Sequence, residues 1–465
     1  MSAPTPSLNL GTLNAESGWG NFPTITAQRL QPHSLDALSS SLQAAQNAQP
    51  MRPIIARGMG RSYGDSSLAP CILDTQSLNH YQSFDAQSGI LACQAGVTFD
   101  EILSRFVPQG WFLPVTPGTK FITVGGAIAS DVHGKNHHLE GSFSDHLLSL
   151  TVCLASGEHL ECSPQQHREL FLATCGGMGL TGVIVAARFA MRRISSAYIT
   201  QTTFKTANLS DTLALFDAHQ HATYSVAWID CLASGAQLGR SLLMLGEHAD
   251  QDADQQVLPH SNRTQNALLA HKAGALSVPF YAPGFALNPF SVKLFNQLYY
   301  HKTRGAHSQD TVHYQPFFYP LDGIKQWNKL YGKAGFCQYQ FVIPHAAGLE
   351  ALTLILTKIA HSKRGSFLAV LKAFGAGNAN YLSFPMRGYT LALDFKMDAT
   401  LLSFLTELDR MVLDFGGRIY LTKDARMSEQ TFKQSYPNWH DFQNVRAHYG
   451  ALDAFQSLQS QRLGL

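Results

Sequence analysis

The stretch RGMGRSYGD, residues 57–65, decides how this chain is read. It sets three glycines among two arginines, a tyrosine and a carboxylate, directly after PIIARG (53–58), which reads as a buried strand. Glycine allows a positive φ and lets backbone approach a ligand closely. Successive main-chain N–H groups in such a turn form a concavity suited to an anion. Three more clusters share this character: TPGTKFITVGGAIASDVHGKNHH (116–138), CGGMGLTG (175–182) and FGG (415–417). One cluster alone is a turn. Two long ones flanking the same strand-rich region predict an extended, phosphate-bearing cofactor.

GMGLTG (177–182) matches G-x-G-x-x-G in form only. The dinucleotide fingerprint needs a strand before it and a helix after it. Here a capped helix precedes and a strand-like run follows, so NAD or NADP is not the expected cofactor. HGKNHH gathers His133, His137 and His138 but offers no H-E-x-x-H and no carboxylate at helical spacing. No metal is expected there, and the segment is read as lining the cofactor site.

The 465 residues suffice for two domains. A formal charge of +2 with no basic block argues against nucleic acid as a partner. Charged residues make up 14%, against roughly 25% in typical domains, which leaves room for a greasy groove. No apolar run approaches the roughly 18 residues of a membrane span. MSAPTPSLNLGTL lacks the pattern of a secretory signal. The seven scattered cysteines read as reduced thiols. The expected location is cytoplasmic, with peripheral contact at the inner membrane left open.

GILACQAG (89–96) and GVIVAARFAM (182–191) read as strands. Thr98 to Glu101 is a capping box that starts a helix through EILSRFV. SPQQHRELFLAT repeats the device, with Ser163 as cap, Pro164 at the first helical position and Gln166 three after the cap. Beyond about 195, strands (YSVAWID, CQYQFVIP, SFLAVLKAF) mix with helices (GLEALTLILTKIA, ATLLSFLTELDRMVLDF), the last ending at Gly416-Gly417. GALSVPFYAPGFALNPF (274–290) reads either as a packed irregular loop or as a mobile apolar lid or membrane-touching surface.

The motifs RGMGRSYGD, PGT with VGGAIASDVHGKNHH, and GGMGLTG resemble the FAD-binding domain of the vanillyl-alcohol-oxidase/PCMH superfamily. AWID, WNKLYGKAGFCQYQFVIP, LKAFG, SFPMRGYTLALDF, FGGRIYLTKDAR and RAHYGALDAFQSLQSQRL, in that order, resemble the decaprenylphosphoryl-β-D-ribose 2′-oxidase family over nearly the whole chain. The resemblance implies an α+β fold: a two-subdomain FAD-binding domain (5–195), a substrate domain with a mostly antiparallel sheet and flanking helices (196–416), and a C-terminal segment (417–465) returning to the first. It implies FAD-dependent oxidation of the 2′-hydroxyl of a polyprenyl-phosphate-linked pentose to a keto sugar. A separate NADH-dependent reductase then completes epimerisation to arabinose.

For FAD the resemblance implies Arg57, Gly58, Met59, Gly60, Arg61, Ser62 and Tyr63, then Pro117, Gly118 and Thr119. It adds Thr123, Gly125, Gly126, Ala129, Ser130 and His133, the adenine-side residues Gly177, Gly179, Leu180, Gly182 and Ile184, and Tyr420 with Lys423. Lys423, Tyr63 and Lys135 form the implied catalytic set. Gln338, Gln340, Lys372 and Thr390 would line the substrate pocket, with Trp228 nearby. There are departures. Arg61 stands where covalent members place a flavin-linking His, so FAD is expected to be non-covalent. Thr390 replaces the usual Asn, and Ala392 and Phe318 stand where mycobacterial members have Cys and Tyr.

The chemistry is consistent from below. Oxidising an alcohol removes a hydride from carbon and a proton from oxygen, so a base or cation near the hydroxyl is needed. Strand alternation in RIYLTKD puts Lys423 on the face of Ile419 and Leu421, where desolvation favours the neutral amine. The competing reading has it reaching water or pairing with Asp424. Lys372 inside FLAVLKAF either meets an anion such as a substrate phosphate or reaches water at a strand end. Gln338 and Gln340, two apart, share a strand face. That face is either a sugar site or the solvent side of an edge strand. Trp228 stacks on a sugar or fills core. Two rival functions remain: an aldonolactone or alditol oxidase (D-arabinono-1,4-lactone oxidase-like) using O2, and a non-catalytic sugar- or lipid-phosphate-binding protein.

Overall fold

The run PIIARG folds as a strand, Ile54–Arg57 (β3), in a four-stranded sheet ordered Leu13–Ser17 (β1), Thr24–Leu30 (β2), Cys71–Asp74 (β4), β3. The computed structural model describes residues 13–48, 50–250, 268, 276–283 and 287–465. Strands β2 and β3 both run parallel to β4. The helix Leu35–Gln46 makes the crossover between β2 and β3. A second, antiparallel sheet is ordered Tyr81–Asp85 (β5), Ile90–Gln94 (β6), Val183–Ala190 (β10), Leu147–Cys153 (β8), His159–Cys162 (β9). Trp111–Phe112 (β7) pairs with Arg192–Arg193 (β11) beside it.

The capping box forms as read. Thr98 Oγ1 accepts from the Glu101 N–H at 3.2 Å, and the Glu101 carboxylate accepts from the Thr98 N–H at 2.8 Å. The helix Phe99–Phe106 then buries Phe99, Ile102, Leu103 and Phe106. The second expected cap is displaced. Ser163 Oγ accepts from Gln165 and Gln166, but this closes a local turn, and the helix starts only at Arg168 after His167 at φ +49°. The Ser and Pro punctuate a turn as readily as a helix start, and five polar residues follow them before Leu170 with nothing apolar to bury.

The third sheet holds eight antiparallel strands: His307–His313 (β16), Tyr198–Thr206 (β12), Ser241–His248 (β14), Tyr224–Ile229 (β13), Ala369–Phe374 (β19), Gly388–Lys396 (β20), Phe336–Pro344 (β18), Arg418–Ile419 (β21). Leu276–Ser277 (β15) and Ile324–Lys325 (β17) pair separately. The two-residue alternation of these strands divides the sheet. Tyr339, Phe341, Leu371, Leu391 and Leu393 form one core with the helices Gly348–Ser362 and Leu401–Asp414. Each such side chain contributes roughly 1.5–3 kcal/mol on burial. Gln338, Gln340, Lys372 and Trp228 take the alternate positions and face the first two sheets. Because β18 lies between β20 and β21, its glutamines are not on a solvent edge.

The segment expected from residue 417 begins inside this sheet, as β21, and then returns to the first. Ile54 donates its N–H to the Ala454 carbonyl, and its own carbonyl accepts from Gln456. Arg446, fully buried, donates to the carbonyls of Leu180, Leu452 and Phe455. Arg462 spans Asp65 at 2.8 Å and Asp424 at 2.9 Å, so the tail ties the RGMGRSYGD loop to the turn that carries Lys423. All seven cysteines are free and buried. Among the described residues no helix is long and apolar enough to cross a membrane.

Candidate functional site

Past β3 the chain turns through Gly58–Gly64. A Cβ at Gly58 would lie 2.3 Å from Thr123 Oγ1, and Gly60 has φ +61°. Both positions therefore demand glycine. Among the described residues, the main-chain N–H groups of Met59, Gly60, Arg61 and Ser62 have no protein acceptor. Thr123 presses on this loop while its Oγ1 accepts from Gly126 N–H at 3.1 Å, capping Val124–Ala129. The result is a close-walled trough with free donors, which fits a pyrophosphate.

The trough opens into one cavity of about 360 Å³ that runs to the polar face of the eight-stranded sheet. The expected residues come together there. The loop 57–63, the turn 117–119, the stretch from Thr123 to His133, and Gly179, Gly182 and Ile184 line it, as do Tyr420 and Lys423. So do Lys135, Trp228, Gln338, Gln340 and Lys372. Three expected residues do not. Gly177 is set back, where a Cβ would strike the Ala173 carbonyl at 2.0 Å. Leu180 is a core residue. Thr390 stands behind Gln340, from which its Oγ1 accepts at 3.2 Å.

At the far end, Lys423 is reached by a route other than the one expected. Leu421–Lys423 is a 3-10 turn, because pairing with β18 stops at Ile419. The lysine is still drawn inward, with Nζ 4.0 Å from the Tyr63 ring centroid. Asp424 is spoken for by Arg462, so it does not pair with Lys423. Burial pushes the Lys423 pKa down to about 7, with Asp394 opposing and Lys372 adding to the fall. Burial does the same to Lys135, to about 7, and to Lys372, to about 8. Lys135 donates to the Phe317 carbonyl. Burial, then Asp394, keeps the Tyr63 hydroxyl protonated far above its usual range.

His133 is held neutral by burial and by the neighbouring Lys372, His137 and Lys423. Its Nε2 lies 3.1 Å from Gln340 Nε2 and must accept, so the hydrogen sits on Nδ1, which has no protein partner. His137 Nδ1 accepts from Gly375 N–H, and His138 Nε2 meets the Ala222 carbonyl. The described residues contain no cluster of metal-ligating side chains.

Residues 26–163 match the FAD binding domain family. The chain is 37% identical to the decaprenylphosphoryl-β-D-ribose oxidase of Mycolicibacterium smegmatis over 453 residues, 96% of this chain and 97% of the relative. It belongs to the decaprenylphosphoryl-β-D-ribose oxidase family. An uncharacterized protein of Streptomyces coelicolor is 31% identical over 79% of this chain and all of its own length. The D-arabinono-1,4-lactone oxidase of Yarrowia lipolytica is 26% identical over only 40% of this chain and 35% of its own. The protein is thus a FAD-dependent oxidoreductase acting on CH–OH groups. Bound FAD supplies the hydride acceptor, and the chain's own side chains must orient the alcohol and take its proton.

Sequence reasoning missed several residues that line this cavity. Trp19, Tyr299, Asp322 and Trp327 line the cavity from distant segments. Arg61 lies 3.9 Å over the Trp19 ring. Trp327 opens WNKLYGKAG, one of the stretches that carry the family resemblance. The described parts of 274–290 do not line the cavity; Leu287 packs one layer out, against the group that includes Trp327. Residues 274–275 and 284–286 lie outside the described residues.

Proposed function

We propose that this enzyme oxidises the 2′-hydroxyl of a polyprenyl-phosphate-linked pentose of the decaprenylphosphoryl-ribose kind, giving a keto sugar. One observation carries the reading. Three desolvated lysines (Lys135, Lys372 and Lys423) and two glutamines (Gln338 and Gln340) meet at the far end of the FAD trough. Cations suit the phosphate, amides suit sugar hydroxyls, and Trp228 offers a stacking face. Lys423, near half-neutral at pH 7, is the base that takes the hydroxyl proton, with Tyr63 and Lys135 beside it. The loop 57–63, the turn 117–119 and the glycines at 125–126 hold the pyrophosphate and flavin. Gly179, Gly182 and Ile184 serve the adenine side, and His133 and Tyr420 the ring. FAD is non-covalent, with Arg61 stacked on Trp19. A separate NADH-dependent reductase consumes the keto product.

A membrane surface delivers the lipid. The helix Pro289–His301 is apolar on its outer side, where Phe290, Leu294 and Leu298 are 76%, 50% and 67% exposed. Lys293, Lys302 and Arg304 accompany them, and no acidic residue occurs between 276 and 309. Its Tyr299 lines the cavity. This is the pattern of a helix lying at an anionic bilayer surface. Sedimentation with phosphatidylglycerol vesicles, lost in Leu294→Ser/Leu298→Ser, is expected.

The test of the reaction is anaerobic bleaching of the purified yellow protein by prenyl-phosphate pentoses. Bleaching by soluble lactones or polyols alone, with rapid peroxide formation in air, would replace this reading with that of an alditol or lactone oxidase. Binding of the sugar without bleaching would leave only a binding protein.

A further inference from the structure

The cavity face of the eight-stranded sheet contains one carboxylate that touches no ligand space. Asp394 sits on β20 directly opposite Gln338 on β18. It is fully buried and does not line the cavity. Its Oδ1 accepts from Gln338 Nε2 at 2.7 Å, and its Oδ2 from the Tyr331 hydroxyl at 3.4 Å. Burial raises the Asp394 carboxyl to about 7, against Gln338, Lys423 and Tyr331. With the amide nitrogen of Gln338 donating to Asp394, its carbonyl oxygen faces away, on the side of Tyr63 and the cavity. Gln340 is turned by the same logic. Thr390 Oγ1 spends its hydrogen on the Phe341 carbonyl at 2.8 Å and therefore accepts from Gln340 Nε2. Both glutamines thus offer carbonyl acceptors beside the three buried lysines.

We propose that Asp394 is a positioning residue for the oxidation: it fixes the Gln338 carbonyl as the acceptor for a substrate hydroxyl. This rests on the proposed sugar substrate. A buried carboxylate held at a strand pair is costly for stability alone, which fits a role in orienting the site.

The test compares anaerobic flavin reduction by whichever sugar of the panel bleaches the wild type. Asp394→Ala and Gln338→Ala are each expected to lower kcat/KM about 10- to 100-fold, and the double variant to be no worse than either, because one contact is lost once. Asp394→Asn still accepts from Gln338, so it is expected to regain most of kcat/KM. Multiplying losses, or an Asp394→Asn variant as impaired as Asp394→Ala, would overturn the role. A crystal structure of Asp394→Ala needs no substrate and is expected to show the Gln338 amide turned or spread over two orientations; an unmoved Gln338 would refute the proposal. Failure of every sugar to bleach the wild type overturns the substrate class instead, and the crystal structure still decides the role of Asp394.

Discussion

Lys423→Met is expected to abolish flavin reduction and at the same time to stabilise the fold. The amine is drawn inward beneath Tyr63, and burial brings its pKa from 10.5 down to about 7. At about 1.4 kcal/mol per pH unit, that fall corresponds to roughly 5 kcal/mol at most. The sign follows from which state binds the proton. Below pH 7 the amine is charged in both states, and the folded protein bears the whole desolvation cost. Between pH 7 and 10.5 the unfolded chain holds a proton that the folded one has released, so stability of the wild type rises with pH. Methionine carries no such cost. Its advantage is therefore about 5 kcal/mol at pH 6 and shrinks to about 2 kcal/mol by pH 9. Urea melts of the FAD-loaded proteins at both pH values measure it, with flavin absorbance confirming equal loading. A variant no more stable than wild type at pH 6, or one whose gain is the same at pH 9, would show that Lys423 is well solvated and is not poised as a base.

In the wild type, the rate of flavin reduction is expected to climb as pH rises through about 7, where Lys423 and Lys135 lose their protons; a flat profile from pH 6 to 8 would assign the base elsewhere. Gly58→Ala puts a methyl 2.3 Å from Thr123 Oγ1. With a strain of about 1–3 kcal/mol, it should weaken FAD retention, read as the ratio of flavin to protein absorbance after gel filtration. Arg446→Met strands the carbonyls of Leu180, Leu452 and Phe455 and should cost about 2–4 kcal/mol in a urea melt. An unchanged melt would mean that the C-terminal tail is not what secures the loop around Leu180.

Much of the architecture was legible because it is written in short-range patterns. The Thr98–Glu101 box, the strand runs at 54–57, 90–94 and 183–190, and the stop at Gly416 each depend on neighbours a few residues apart. The glycines of 57–65 and 116–138 declared a tight approach to something absent from the chain. The pair Gln338 and Gln340 declared one polar strand face. The Ser163 cap was misread because a polar turn and a helix start use the same residue types. Lys423 was placed inside the site for a wrong local reason, since its strand ends four residues earlier.

The sequence by itself determined that a flavin trough and a lysine- and glutamine-bearing sheet exist. Only the tertiary structure decided how they are joined and aimed. Thr390 proves to stand behind Gln340, Asp394 behind Gln338, and Arg462 across from Asp65 and Asp424. Those partners lie dozens to hundreds of residues apart in the chain. A side-chain hydrogen bond senses only the few ångströms around it, and the fold alone sets which residues fill that space.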